Sequence, residues 1–246
     1  MRARRRGGRR LDVALAEAGL AESRSQAQAL ILAGRVRVGG ETVRTAGRTV
    51  ESGDRLEVVQ PPPYVSRGGE KLAPALDAFG VRVEGRTCAD IGAATGGFTD
   101  VLLQRGAARV YAVDVGRGLL HWRLRQDPRV TPMERVNARD LESFPEPVSL
   151  VTVDVSFIGL EKVLPALRRA APGAELVVLF KPQFQVGRGE VGKGGIVRDQ
   201  AATAAALERF RAWCRDNGWR VVAEVPSALP GADGNQELLV HLEPAP

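Results

Sequence analysis

From residue 86 onward, short apolar segments typical of strands alternate with segments of helical periodicity. This alternation predicts a mostly parallel sheet with helices on both faces, because each crossover between parallel strands carries a helix over the sheet. The last two predicted strands have no helix between them and are expected to pair antiparallel. The sequence therefore predicts an α/β domain with a Rossmann-like sheet. Its strands lie at residues 87–91, 110–113, 150–155, 176–180, 221–225 and 238–242, with one more beginning at Val130.

A glycine-rich turn, residues 90–99 (Asp-Ile-Gly-Ala-Ala-Thr-Gly-Gly-Phe-Thr), follows the first of these strands. Ligands of such sheets bind at the carboxyl ends of the strands, and small residues there let a ligand approach the backbone closely. Asp114 ends the second strand, and a carboxylate at this place suits a ribose diol. The alternative is an ordinary glycine-rich turn with a capping aspartate.

The turn differs from the dinucleotide fingerprint Gly-x-Gly-x-x-Gly, because Ala94 stands where the second glycine is expected. Asp90 is a poor neighbour for a pyrophosphate but suits a cationic ligand that carries an amino group. The pattern therefore disfavours an NAD-dependent oxidoreductase and is similar to motif I of class I methyltransferases. This resemblance implies S-adenosyl-L-methionine as the cofactor. It implies cofactor contacts from Asp90, Gly92, Ala94, Gly96, Gly97, Asp114 and Asn137.

The positive charge of the chain is concentrated in its first quarter. Residues 1–60 hold 12 lysines and arginines against 7 acids, whereas residues 61–246 hold 23 against 22. This asymmetry predicts that the N-terminal part meets a polyanion such as nucleic acid. A small protein-binding domain with a basic surface is the alternative.

The N-terminal part has the pattern of two short helices, beginning near Leu11 and Ser23, followed by a hairpin-rich sheet. Through residues 10–12, 23–27 and 33–40 it resembles the alpha-L RNA-binding module of a small-subunit ribosomal protein. The resemblance implies RNA contacts from Arg10, Arg24, Gln28, Arg35 and Arg37, to which we add Arg67 of the following domain. Consecutive prolines from residue 61 predict a stiff linker. The predicted organisation is a basic tail at residues 1–9, the RNA-binding module at 10–60, the linker at 61–66 and a methyltransferase domain at 67–246.

Four residues in the order Lys71, Asp154, Lys181 and Glu237 fall at the entry of a helix and at three strand ends. This order looks like the catalytic tetrad of ribose 2′-O-methyltransferases of the FtsJ/RrmJ type. With the N-terminal module, residues 10–243 resemble the TlyA (hemolysin A) family, most specifically at 64–69, 153–157, 181–187 and 191–195. The resemblance implies methylation of cytidine in 16S or 23S rRNA, or both, and rRNA or ribosomal subunits as partners.

The tetrad suits the chemistry that a ribose hydroxyl requires. A 2′-hydroxyl is a poor nucleophile and must lose or share its proton during methylation. A lysine can assist if a second cation and partial burial lower its pKa, and Lys71 beside Lys181 would do so. Asp154 and Glu237 would orient the two lysines. We expect Lys181 to be central, either steering or deprotonating the hydroxyl.

The sequence also disfavours several other classes of protein. No apolar run approaches the length of a membrane span, and the basic start lacks the apolar stretch of a secretory signal. We therefore expect a cytoplasmic protein that does not act on membranes. Cys88 and Cys214 have no metal-ligand spacing, so we expect buried free thiols and no metal site. A membrane-active hemolysin and an RNA-binding protein without catalysis remain as alternatives. The glycine-rich stretch 187–195 is either a mobile lid or a plain flexible loop.

Overall fold

The computed structural model describes residues 8–60 and 62–245, and the chain divides into two compact units, Met1–Pro62 and Pro63–Pro246. This division falls within the predicted linker. Residues 1–7 of the predicted basic tail lie outside the described residues. No helix in the described part of the chain is long and apolar enough to cross a membrane.

The N-terminal unit consists of two helices and two small sheets. Ser23 caps the second helix, because its hydroxyl accepts a hydrogen bond from the Gln26 amide at 3.1 Å. Leu11, Leu15 and Ile31 are fully buried between the helices and the sheet. The elements are β1 (Arg9–Arg10), α1 (Leu11–Glu17), α2 (Arg24–Leu32), β2 (Val36–Val38), β3 (Glu41–Val43), β4 (Thr49–Val50) and β5 (Leu56–Val58).

The predicted helices and hairpin are present, with β2 at the centre of an antiparallel β3-β2-β5 sheet. A second sheet, in which β1 pairs antiparallel with β4, is not predicted from the sequence. This pairing places Arg9 within the folded unit rather than in the predicted tail. Such short strands carry too few residues to show a period, so only the tertiary fold reveals them.

The C-terminal unit confirms the predicted α/β fold. Its seven strands have the order β11-β12-β10-β9-β6-β7-β8, and only β12 runs antiparallel to its neighbours. The strands are β6 (Thr87–Ile91), β7 (Arg109–Asp114), β8 (Val130–Glu134), β9 (Leu150–Val153), β10 (Glu175–Phe180), β11 (Trp219–Pro226) and β12 (Leu238–Pro244). The helices are α3 (Arg67–Phe79), α4 (Gly97–Gln104), α5 (Trp122–Arg125), α6 (Leu164–Ala170) and α7 (Gln200–Asp216).

Both faces of this sheet are covered, which explains why its central strands are continuously apolar. On one face Phe180 of β10 packs with Phe210 of α7, and both are fully buried. On the other face α3 and α4 cover a second cluster that includes Leu72 and Leu102. Cys88 and Cys214 are free and buried as predicted, and burial raises the pKa of each thiol to about 12.

The strand directions bring five loops to one edge of the sheet. The parallel strands β6, β7, β9 and β10 end there, and β12 begins there because it runs the opposite way. The loops that follow or precede these strands hold the glycine-rich turn, Asp114, Asp154, Lys181 and Glu237. The topology therefore assembles at one edge residues that are far apart in the sequence.

Candidate active site

The glycine-rich turn between β6 and α4 has a backbone that only small residues can follow. Gly92 has φ +82°, and a Cβ added there would lie 2.2 Å from the carbonyl oxygen of Asp154. Gly96 also has a positive φ, as does Ala94 with φ +46°. The Ala94 amide donates a hydrogen bond to the Asp114 carboxylate at 2.9 Å, which supports this unusual conformation.

We expect Gly92→Ala to weaken binding of the predicted cofactor, S-adenosylmethionine, about 10-fold and to destabilise the protein by about 1–2 kcal/mol, because it adds backbone strain and displaces the loop that carries Asp154. Isothermal titration calorimetry and thermal denaturation would measure the two effects. Gly85→Ala is the matched control, because Gly85 also has a positive φ but an added Cβ there would meet no atom within 4 Å. Equal loss of cofactor affinity in both variants would contradict the prediction.

Asp90 lies beneath the turn rather than in it. Its carboxyl accepts hydrogen bonds from the Thr99 amide at 2.9 Å and the Thr99 hydroxyl at 2.7 Å, and Thr152 donates to the other oxygen at 3.2 Å. The side chain is fully buried, and burial raises its pKa to about 7. Because it lines neither cavity described below, we now interpret Asp90 as holding the start of α4 in place instead of contacting the cofactor.

One cavity of about 420 Å³ opens beside the turn, between the ends of β6, β7 and β9. Asp114 lines it and also accepts a hydrogen bond from the Gly116 amide at 2.7 Å. Each carboxylate oxygen has a second acceptor position, so Asp114 can still bind a hydroxyl pair. Asn137 lines the same cavity, as predicted for a cofactor contact, while Gly97 lines the second one. Gly92 and Ala94 line both.

The second cavity, of about 240 Å³, is lined by Gly92, Ala94, Lys71 and Arg67. Asp154 also lines both cavities, so the two adjoin at this residue. A ligand in the larger cavity would thus lie next to a second ligand that reaches the tetrad.

The four tetrad residues form two ion pairs at this place. Lys71 Nζ lies 2.6 Å from Glu237 Oε2, and Lys181 Nζ lies 2.5 Å from Asp154 Oδ1. The Lys71 and Lys181 side chains are only 12% and 11% exposed. Each lysine thus has one carboxylate beside it, which is the arrangement in which we expect Asp154 and Glu237 to orient the two lysines. Pairing limits the cost of removing two cations from water.

Comparisons with known proteins agree with this geometry. The model of the FtsJ-like methyltransferase family matches residues 64–243, and the S4 domain model matches residues 9–56. The chain belongs to the FtsJ-like methyltransferase family. An S4 domain precedes its methyltransferase domain.

Relatives share both domains of this family member. The chain is 48% identical over 238 residues to the 16S/23S rRNA (cytidine-2′-O)-methyltransferase TlyA of Mycobacterium tuberculosis, covering 95% of this chain and 89% of that protein. It is 44% identical over 236 residues to Hemolysin A of Brachyspira hyodysenteriae, covering 94% and 98%. A solved structure titled "Putative hemolysin from Streptococcus thermophilus" superposes with a TM-score of 0.74 at 43% identity, covering 97% of this chain and 89% of that one. These matches confirm the resemblance to the TlyA family.

Two residues of the methyltransferase domain beside the tetrad were not singled out from the sequence. The Ser156 hydroxyl accepts a hydrogen bond from Lys181 Nζ at 3.0 Å. Phe157 is 92% exposed, has φ +65° and packs its ring against Phe184, with centroids 5.3 Å apart. Both lie in the sequence string that carries the family resemblance, and that string was the available signal for them.

Asn235 is a third residue that sequence reasoning missed. Its buried amide donates to the Gly195 carbonyl at 2.8 Å and accepts from the Val197 amide at 2.9 Å. It therefore ties the end of the glycine-rich stretch 187–195 to the loop that carries Glu237. Whether this stretch acts as a lid stays open.

The predicted RNA contacts separate into three places. Arg10, Arg24 and Gln28 all donate hydrogen bonds to one residue of the S4 domain, Asp12. Arg37 is exposed on β2 and Arg35 precedes that strand. The last residue of the set, Arg67, lies in the methyltransferase domain at the smaller cavity, where it donates to the Pro230 carbonyl at 3.4 Å.

No metal site is predicted from the sequence, yet the structure brings Glu175, His241 and Glu243 together. Their ligand atoms all lie within 4.8 Å of one another. Glu175 is paired with Arg86 at 2.5 Å and with His241 at 2.7 Å, and Glu243 is paired with Arg220. The carboxylates are thus already matched by cationic groups, so we interpret the cluster as an ion-pair network at the edge of the sheet opposite the tetrad.

Proposed function

We propose that this protein is an S-adenosylmethionine-dependent ribose 2′-O-methyltransferase that acts on cytidine in 16S or 23S rRNA, or both. The observation that carries the proposal is that two ion pairs, Lys71–Glu237 and Lys181–Asp154, lie beside the glycine-rich turn. The name of the relative from M. tuberculosis and the S4 domain support rRNA as the substrate. A role in the cytoplasm, where ribosomes are found, is part of the same proposal.

The residues beside the turn fit S-adenosylmethionine. The larger cavity lies within the range of about 300–1,000 Å³ that is usual for small-molecule sites, and apolar Leu119 and Val136 line it as an adenine would require. Asp114 would hold the ribose hydroxyls and Asn137 the adenine. Gly92 and Ala94 would leave room for the methionine part. When bound, this cofactor supplies an electrophilic methyl group for in-line attack by a hydroxyl oxygen.

The tetrad would hold the target hydroxyl and take its proton. One donor of the Lys181 ammonium goes to Ser156, and Nζ also lies 2.5 Å from Asp154 Oδ1. A further N–H can point to the 2′ oxygen and would stabilise the negative charge that develops there. As the new O–C bond formed and the S–C bond of the sulfonium broke, the hydroxyl proton would pass to the Asp154 carboxylate, because the Lys181 ammonium has no lone pair to accept it. Lys71 and Glu237 would position the ribose from the opposite side. Most of the rate enhancement would come from this positioning.

The two alternatives have less support. The name Hemolysin A of one relative is the observation that favours a membrane-active protein. Against it, the edge of the sheet that holds the tetrad presents four charged groups in two ion pairs, which do not suit insertion into lipid. The intact ion pairs of the tetrad argue against an RNA-binding protein without catalysis.

Transfer of labelled methyl from S-adenosylmethionine to unmodified 30S and 50S subunits tests the proposal. We expect label to enter RNA and to resist alkali at a single nucleotide, as a 2′-O-methyl group does. Binding to the cofactor without label in either subunit or in naked rRNA would overturn the proposed substrate. Lysis of lipid vesicles by the purified protein would favour the hemolysin alternative.

A further inference from the structure

Asp12 is an unusual residue for a basic, RNA-binding surface, because it is an acid whose side chain is fully buried. It lies in the first turn of α1. Arg10 donates to it from Nε at 3.0 Å and from Nη2 at 2.9 Å, so this pair is bidentate. Arg24 donates from Nε at 3.0 Å and Gln28 from Nε2 at 2.6 Å. The Val13 amide, at 3.0 Å, completes the set of five hydrogen bonds.

These contacts use all the acceptor positions of the Asp12 carboxylate, which has about four lone pairs. The hydrogen bonds from Arg10 and then Gln28 hold the pKa of Asp12 well below its usual range, in spite of its burial. Asp12 is therefore ionised and saturated, and it has no free position with which to contact RNA itself.

The arginines, in contrast, keep part of their binding capacity. The Arg10 and Arg24 side chains are 49% and 57% exposed. Arg24 uses only Nε on Asp12, so both of its terminal nitrogens remain available, and Arg10 retains Nη1. Both guanidinium groups approach the same carboxylate oxygen, Oδ2, at 2.9 and 3.0 Å, so their donor nitrogens lie within about 6 Å of each other.

Two adjacent guanidinium groups with free N–H donors form a site for an oxyanion. Their combined charge with Asp12 is +1, so the cluster still attracts an anion. Arginine side chains normally lose rotamer freedom when they bind phosphate, whereas Asp12 has already fixed these two. Gln28 lies one helical turn after Arg24 on the same face of α2. Its amide holds the Asp12 carboxylate from a third side.

We propose that Asp12 is a positioning residue that organises Arg10 and Arg24 into a preformed receptor for one phosphate group of the rRNA backbone. This inference rests on the proposed function, since it takes rRNA as the ligand. Asp12 raises affinity by fixing the arginines, although its own charge repels phosphate.

Asp12 fixes the two arginines, which favours phosphate binding, and its charge repels phosphate. These two effects predict opposite outcomes for Asp12→Asn, which raises the net charge by one. If Asp12 only neutralised charge, the variant would bind RNA more tightly. We expect weaker binding, by about 10-fold, and a salt dependence whose slope falls by about one phosphate contact. The probes are unmodified 30S and 50S subunits, titrated with full-length protein at several salt concentrations.

Glu41→Gln is the matched control, because Glu41 is an exposed acid of the same unit and its loss raises the net charge equally. We expect it to bind the subunits as tightly as the wild-type protein or more so. Affinity for S-adenosylmethionine should be unchanged in both variants. Unchanged or tighter subunit binding by Asp12→Asn would overturn the proposal.

Arg24→Lys keeps the test decisive if Asp12→Asn fails to fold. It preserves the charge but removes the planar fork that Asp12 orients, and we expect about 5-fold weaker subunit binding. Arg55→Lys, at an exposed arginine of the same unit, is expected to change binding less than 2-fold. Equal effects of the two substitutions would overturn the proposal. Wild-type protein that binds subunits without methylating them would instead contradict the proposed function and leave this comparison valid.

Discussion

Lys181→Met is expected to lower kcat for methyl transfer to rRNA at least about 10³-fold, because it removes the group that we propose to contact the 2′-hydroxyl. Methionine keeps the length and the apolar stem of the side chain. The variant loses the hydrogen bond to Ser156 and leaves Asp154 without its cation. Single-turnover transfer of labelled methyl to the subunit that the wild-type protein modifies would measure the effect.

Binding measurements separate this loss of chemistry from a loss of structure. Asp154 lines both cavities, yet Lys181 is in the lining of neither, so we expect affinity for S-adenosylmethionine to change less than about 3-fold. Lys162→Met makes the same chemical change at an exposed lysine outside the site and is expected to retain full activity. Activity within 10-fold of wild type for Lys181→Met would show that the tetrad does not carry the reaction.

The sequence predicted the parts of the fold that depend on runs of apolar residues and on glycine-rich turns. Strands of the large sheet are buried on both faces, so their apolar runs stand out, and the glycine-rich turn marks the first strand end. The topology rule for parallel sheets then places Asp114, Asp154 and Lys181 at one edge. Lys71 and Glu237 were found through the order of charged residues in a family motif, because nothing local identifies them.

What the sequence could not predict depends on side chains that meet only after folding. Asp90 was expected to face the ligand, but its contacts with Thr99 and Thr152 turn it into the core. Asp12 draws together donors that lie up to 16 residues away, and no periodicity reveals such a group. The order of the tetrad predicted that Asp154 and Glu237 orient the lysines. It did not predict which carboxylate pairs with which lysine, because that choice depends on distances of a few ångströms.

The buried carboxyl of Asp90 should make the stability of the protein depend on pH. Its pKa is about 7 in the folded protein and 3.8 when unfolded, so the folded state binds one more proton between these values. The free energy of unfolding therefore falls as pH rises through this window. The contribution of Asp90 should decrease by about 4 kcal/mol between pH 4 and pH 8, of which about 2 kcal/mol is lost above pH 5.5.

Asp90→Asn removes this proton while preserving the shape of the side chain and an oxygen that can accept from Thr99. Relative to the wild-type protein, the variant should gain stability steadily as pH rises, and it should be the more stable of the two at pH 8. Urea denaturation from pH 5.5 to pH 8 would measure the difference between the two curves. Asp140→Asn, at an exposed aspartate, controls for the amide substitution and the change in net charge. Parallel curves for wild type and Asp90→Asn would mean that Asp90 is ionised in the core throughout this range. The hydrogen bonds from Thr99 and Thr152 would then outweigh the cost of burying its charge.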